Sequence, residues 1–146
     1  MNYNIKFNFK SIKACFIAFC MLAAFSSLNA QTPTYQLSSH ILDISKGQPV
    51  ADVVIRLEKL NEKTKIWSFV EEKRTDKNGR IGDFLETNKA NIGIYKLTYY
   101  TNDYFKLDKI ESFYPFIEVV FQMKDSNHYH VPITLSPFGY STYRGN

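Results

Sequence analysis

From Tyr35 onward, apolar and polar residues alternate in short runs that restart after each turn signal. A period of two places successive side chains on opposite faces of a strand, so such runs specify half-buried β-strands. The pattern predicts strands near Leu37–Ile44, Asp52–Leu60, Trp67–Arg74, Ile81–Leu85, Ile94–Tyr100, Ile117–Lys124, Tyr129–Leu135 and Tyr140–Tyr143. In Asp52–Leu60, Val53, Ile55 and Leu57 fall on one face while Val54, Arg56 and Glu58 fall on the other. Lys46-Gly47-Gln48-Pro49 and Asp76-Lys77-Asn78-Gly79 carry turn chemistry, and Asn78-Gly79 is suited to the positive φ angles of a tight hairpin. One segment departs from the alternation: Tyr104, Leu107, Ile110 and Tyr114 recur at three- and four-residue spacing behind the possible caps Asn102 and Asp103. That spacing predicts one short helix covering a sheet. About eight strands and a single helix read as an all-β sandwich.

The first thirty residues follow different rules. Lys6, Lys10 and Lys13 precede an apolar run from Ala14 to Phe25, and small and polar residues follow to Ala30. This is the pattern of a secretory signal peptide over residues 1–30, with the domain proper at 31–146. The run is shorter than the roughly 20 helical residues needed to span a bilayer. The expected location is therefore periplasmic or secreted, with no membrane association after cleavage.

Composition then narrows the function. The 146 residues are 45% hydrophobic, 16% aromatic and 22% charged, which excludes low-complexity disorder and a collagen-like repeat. Without the leader's three lysines, the 18 basic residues become 15 against 14 acidic ones, a net charge of +1. Such a balance gives no electrostatic footprint for nucleic acid. Both cysteines, Cys15 and Cys20, lie in the leader, so a disulfide framework or a cysteine nucleophile in the domain is excluded.

The candidate chemistry is imidazole. His40 lies in the first predicted strand, and His128 and His130 are two apart in a later one, hence on one face. Lone strand histidines are more often structural than catalytic, but three of them without a rival nucleophile favour a site. They allow acid–base chemistry near neutrality or, as the alternative, an open zinc site of three imidazoles. Asp43, three residues past His40, belongs on the opposite face and is not placed to join such a site. Arg80 follows the Asn78-Gly79 turn, where a guanidinium either stays solvated or presents its planar fork to a small ligand. No Gly-x-Ser-x-Gly elbow and no phosphate-binding glycine loop occurs. The aromatic tail through Tyr140, Tyr143 and Arg144 keeps strand-like alternation, which suggests a docked end rather than a frayed one.

Five stretches together resemble the 5-hydroxyisourate hydrolases of the transthyretin-like family: Leu37-Ser38-Ser39-His40-Ile41-Leu42-Asp43, Gly47-Gln48-Pro49-Val50-Ala51, Thr75-Asp76-Lys77-Asn78-Gly79-Arg80, His128-Tyr129-His130-Val131-Pro132 and Tyr140-Ser141-Thr142-Tyr143-Arg144-Gly145. The terminal Tyr143-Arg144-Gly145 resembles the hydrolase branch rather than the hormone carriers. The resemblance implies a transthyretin-like sandwich of two four-stranded sheets, assembled as a homotetramer with active sites in clefts between dimers. It implies conversion of 5-hydroxyisourate, a purine-derived small molecule, to 2-oxo-4-hydroxy-4-carboxy-5-ureidoimidazoline in urate degradation, without metal or other cofactor. His40, His130 and Arg80 are the implied catalytic and substrate-binding residues, with Tyr143 and the final residue, Asn146, beside the substrate. The family ends in serine where this chain has Asn146, whose amide can position a ligand but cannot act as a hydroxyl proton shuttle. The alternative reading is therefore a transthyretin-like small-molecule binding protein with impaired or lost hydrolase activity.

Overall fold

The computed structural model describes residues 34–87 and 89–145, so the expected signal peptide and the chain-terminal Asn146 lie outside the described residues. Within them, β1 (Tyr35–Asp43), β2 (Gln48–Pro49), β3 (Val54–Asn61), β4 (Ile66–Arg74), β5 (Arg80–Glu86) and β6 (Gly93–Tyr99) precede the helix α1 (Asn102–Leu107). The chain then forms β7 (Ile117–Met123), β8 (Tyr129–Ser136) and β9 (Gly139–Thr142). Each of the eight strands read from alternation is present, with ends shifted by up to two residues, and the two-residue β2 is added from what was read only as a turn.

Two sheets result. One runs β2-β1-β8-β9, with β5 also paired to β1; the other runs β4-β3-β6-β7. Their facing residues make the core, including Leu37 and Ile41 of β1, Leu57 of β3, Leu97 of β6, and Ile133 and Leu135 of β8, all at most 1% exposed. Each such side chain contributes about 1.5–3 kcal/mol when fully buried. This is the transthyretin-like two-sheet β-sandwich with one short helix. The outer face of the β4-β3-β6-β7 sheet is laced with ion pairs, Lys96 to Glu58 at 2.9 Å and to Glu118 at 3.1 Å, and Arg56 to Glu72 at 2.9 Å. The outer face of the other sheet carries the histidines instead.

A buried polar pin joins the sheets. Tyr99 of β6 is fully buried, and its hydroxyl lies 2.9 Å from Ser39 Oγ of β1 and 3.1 Å from the Val131 carbonyl of β8. That carbonyl also accepts from Ser39 Oγ–H at 2.8 Å. A second anchor holds the helix. Asp43, at the end of β1, is fully buried, as its place on the face opposite His40 requires. It accepts from the Ser45 hydroxyl, the Ser45 and Lys46 backbone N–H groups and, at 2.7 Å, the Tyr104 hydroxyl. Burial alone would raise its pKa, but these four donors outweigh burial and leave the carboxyl below the usual 3.8.

The helix differs from its sequence pattern in two respects. Its cap position is Thr101 rather than Asn102 or Asp103, which occupy the first turn. Phe105 is its buried residue, whereas Leu107 is 83% exposed. The physical reason is length. Lys109 adopts φ +57°, and the N–H groups of Lys109 and Ile110 close on the carbonyls of Lys106 and Phe105, a left-handed stop that ends the helix before the long apolar stripe can form.

The Asp76–Gly79 turn also does something other than close a hairpin. Its flanking strands belong to different sheets, β4 to one and β5 to the other, so it is a corner between layers. Only Gly79, at φ +71°, takes a positive φ there; Asn78 does not. Asp76 Oδ1 accepts from the N–H groups of Asn78 and Arg80 at 2.8 Å each, and the Gly79 carbonyl accepts from Ile41 N–H at 2.9 Å. A Cβ on Gly79 would stand 2.6 Å from the Ile41 oxygen. Gly47 has a similar φ of +66° but open space around it. Urea unfolding should therefore show Gly79→Ala destabilised by about 1–3 kcal/mol more than Gly47→Ala, because both pay left-handed strain and only Gly79→Ala adds a backbone clash. Equal losses would show that the corner yields freely.

Candidate active site

Strand register assembles the site. β1 runs antiparallel to β5 with His40 opposite Arg80, and parallel to β8 with Ser38 opposite His130. Residues 38, 40 and 130 are half-buried on alternating positions that face away from the core, while Ser39, Ile41 and Val131 between them point inward and are buried. Three adjacent strands thus bring His40, Arg80 and His130 onto one outer face of the sheet. The Asp76–Gly79 corner, hydrogen-bonded to β1 at Ile41, delivers Arg80 at the first position of β5.

The electrostatics follow from this convergence. Partial burial lowers the pKa of His40 below the free value of 6.5, and the Arg80 charge lowers it further. The Asn78 carbonyl and the Asp76 carboxylate oppose the shift without reversing it. Partial burial likewise lowers His130, followed by Arg80 and then His40 and His128, against a raising contribution from the Ser38 backbone. At neutral pH the site holds two neutral imidazoles beside a guanidinium. That set can take a proton from a water, return one to a leaving group, and stabilise an anion.

His128 joins the cluster from the exposed side. Its Nδ1 lies 3.1 Å from the Tyr35 carbonyl, and its Nε2 lies 2.8 Å from Ser38 Oγ, which is also 2.8 Å from His130 Nδ1. With both nitrogens of His128 engaged, the three-imidazole zinc site is not assembled. Among the described residues, no group of three or more His, Cys, Asp or Glu is arranged to hold a metal. Ser38 is the member of the constellation that sequence reading passes over. The available signal was its place two residues before His40 on one strand, hence on the same face.

The chain end also arrives here. Gly145 N–H donates to the His130 carbonyl at 2.8 Å, and a Cβ on Gly145 would stand 2.5 Å from His130 Cδ2. The tail is docked, as its alternation suggested. Arg144 turns aside: its guanidinium lies over the Tyr129 ring at 4.7 Å. Tyr143 is 60% exposed and borders a hollow between β7 and the tail, together with Val119, Phe121, Tyr129 and Arg144.

Residues 37–145 match the HIUase/Transthyretin family. A "Probable 5-hydroxyisourate hydrolase" from Caenorhabditis elegans is 45% identical over 116 residues, covering 78% of this chain and 84% of that protein. Among solved structures, 5-hydroxyisourate hydrolase from Klebsiella pneumoniae superposes with a TM-score of 0.64 at 34% identity, over 75% of this chain and 98% of that one. Transthyretin from Sparus aurata gives a TM-score of 0.70 at 27% identity, over 75% of this chain and 96% of that one. The fold is thus shared with both, while a hydrolase is the more similar in sequence of these two structures. Sandwich topology, the match across nearly all of the described residues and the identity to its relatives lead to one conclusion: the chain is a member of the HIUase/Transthyretin family.

Proposed function

We propose that this protein hydrolyses 5-hydroxyisourate, opening a cyclic acyl–nitrogen bond as a cyclic amidohydrolase. The observation that carries the reading is the meeting of His40, Arg80 and His130 on one sheet face, in a chain whose relatives are named as 5-hydroxyisourate hydrolases. His40 and His130 orient and deprotonate the attacking water, and one of them returns a proton to the departing nitrogen. Arg80 binds the polar edge of the ring and stabilises the developing oxyanion. The amide of Asn146 flanks the substrate, a reading supported by the docking of Gly145 on His130, whereas Tyr143, expected there too, borders the hollow it shares with Val119 and Phe121 of β7. A binding protein that has lost turnover is less well supported, because the histidine–arginine set is intact.

We infer further that the active unit is a homotetramer, since His40, Arg80 and His130 lie on the outer face of the sheet, where a second copy can close over them. Residues 1–30 serve as an export leader, placing the enzyme in the periplasm or outside the cell. Sedimentation of the secreted product, with sequencing of its N-terminus, should give four copies starting near Gln31. A monomer, or an intact leader, would contradict these two assignments respectively.

The central test is the spectrophotometric decay of freshly generated 5-hydroxyisourate with the C-terminus untagged. The wild type should accelerate it, His130→Asn should lose about 10²–10⁴ in rate, and Arg80→Ala about 10²–10³. Binding without acceleration would instead establish the carrier reading.

The pH profile provides an independent check. The bases must be neutral, and burial and Arg80 hold both below 6.5, so activity persists as pH falls to that value and is lost only below it. Replacing Arg80 with Gln removes a charge that opposes protonation, so the acid limb of the residual kcat/KM should move to higher pH. A limb that stays in place would show that the titrating group does not face Arg80.

A further inference from the structure

Ser38 stands between two imidazoles, and its surroundings fix where each hydrogen lies. His128 Nδ1 faces the Tyr35 backbone oxygen at 3.1 Å. A carbonyl can only accept, so His128 Nδ1 carries the hydrogen and the neutral ring offers a lone pair at Nε2. Ser38 Oγ lies 2.8 Å from that Nε2, and the single hydroxyl hydrogen is directed there. The Ser38 oxygen is then an acceptor toward its other partner, His130 Nδ1 at 2.8 Å. His130 Nδ1 must therefore be the protonated nitrogen, which leaves its Nε2 with a free lone pair.

The ring has little room to turn out of this arrangement. Ser38 holds it at Nδ1, and Gly145 crowds it at Cδ2, where a Cβ would stand at 2.5 Å. The charged and titratable groups acting on His130 are Arg80 from β5, His40 from β1 and His128, which precedes His130 by two residues. The side-chain contact at its Nδ1 is the Ser38 hydroxyl, 2.8 Å away.

We propose that Ser38 and His128 are positioning residues that hold His130 as its Nδ1–H tautomer, so that Nε2 is the proton acceptor of the reaction. This deepens the reading of His130 as a catalytic base and rests on it. The direction of the chain originates at the Tyr35 carbonyl, a group that does not titrate. Reversing it in the neutral state would set a bare His128 Nδ1 against a carbonyl oxygen and leave two acceptors facing each other. A base presented through the wrong nitrogen loses its proton-accepting function even when the ring stays in place.

Two measurements test this on the mature, untagged protein. Long-range ¹H–¹⁵N correlation spectra of ring-labelled histidine, with His130→Asn used for assignment, show which nitrogen of His130 is protonated above neutrality. Steady-state kinetics on freshly generated 5-hydroxyisourate read the consequence. The wild type should show Nδ1–H. Ser38→Ala should shift His130 toward Nε2–H and lower kcat by about 10–10²-fold with KM changed by less than about twofold. Ser38→Thr, which keeps the hydroxyl, should restore both tautomer and kcat. An unchanged tautomer with kcat near wild type in Ser38→Ala, a loss confined to KM, or a Ser38→Thr protein as impaired as Ser38→Ala would each overturn the proposal. If the wild type shows no hydrolysis, the functional reading fails by that result, and the spectra still decide between Nδ1–H, which upholds the tautomer assignment, and Nε2–H, which rejects it.

Discussion

The register of β1 against its two neighbours is the constraint on which the rest depends. Its antiparallel pairing sets His40 against Arg80, and its parallel pairing sets Ser38 against His130. A slip of one residue in either ladder would turn a reactive side chain toward the core and a buried one toward solvent. The core blocks such a slip, because Leu37, Ser39 and Ile41 are buried on the inner face of the same strand. The Tyr99 hydroxyl adds a polar lock from the opposite sheet, bonded beneath the site to Ser39 and the Val131 carbonyl. The packing that stabilises the sandwich therefore also aligns the site.

Much of this was legible in the chain because period-two alternation is a local signal. Val53, Ile55 and Leu57 announce an inner face by spacing alone, and His128 and His130 announce a shared one. What was hidden is non-local. Nothing in the residues around Asp76–Gly79 states that β4 and β5 belong to different sheets, since the same turn chemistry serves a hairpin or a corner. The parallel pairing of β1 with β8 joins segments about ninety residues apart, as the Ser38–His128 bond shows. The helix was misplaced by its apparent stripe because the left-handed Lys109, a residue without glycine's freedom, stops it early. Ser38 escaped notice because a serine on a strand is unremarkable until its partners are known.

Arg80 has two effects on one site. Toward an anion, its guanidinium is an attractive charge; toward His40 and His130, whose pKa values partial burial already lowers, it is a repulsive one that lowers them further. A basic residue beside two bases is therefore compatible with base catalysis. The surrounding groups moderate the effect on His40, where the Asn78 carbonyl and Asp76 carboxylate favour the protonated form. Asp76 also holds the corner through the Asn78 and Arg80 N–H groups, so one carboxylate both shapes the loop and tempers the field.

The corner at Asp76–Gly79 leaves one layer and enters the other, and it delivers Arg80 into the ladder that β5 forms with β1. Ile81 and Phe84, on the strand that follows, are buried between them. Emptying that packing leaves a cavity into which the surroundings relax only partly, so the strand that carries Arg80 loses backing on its inner side.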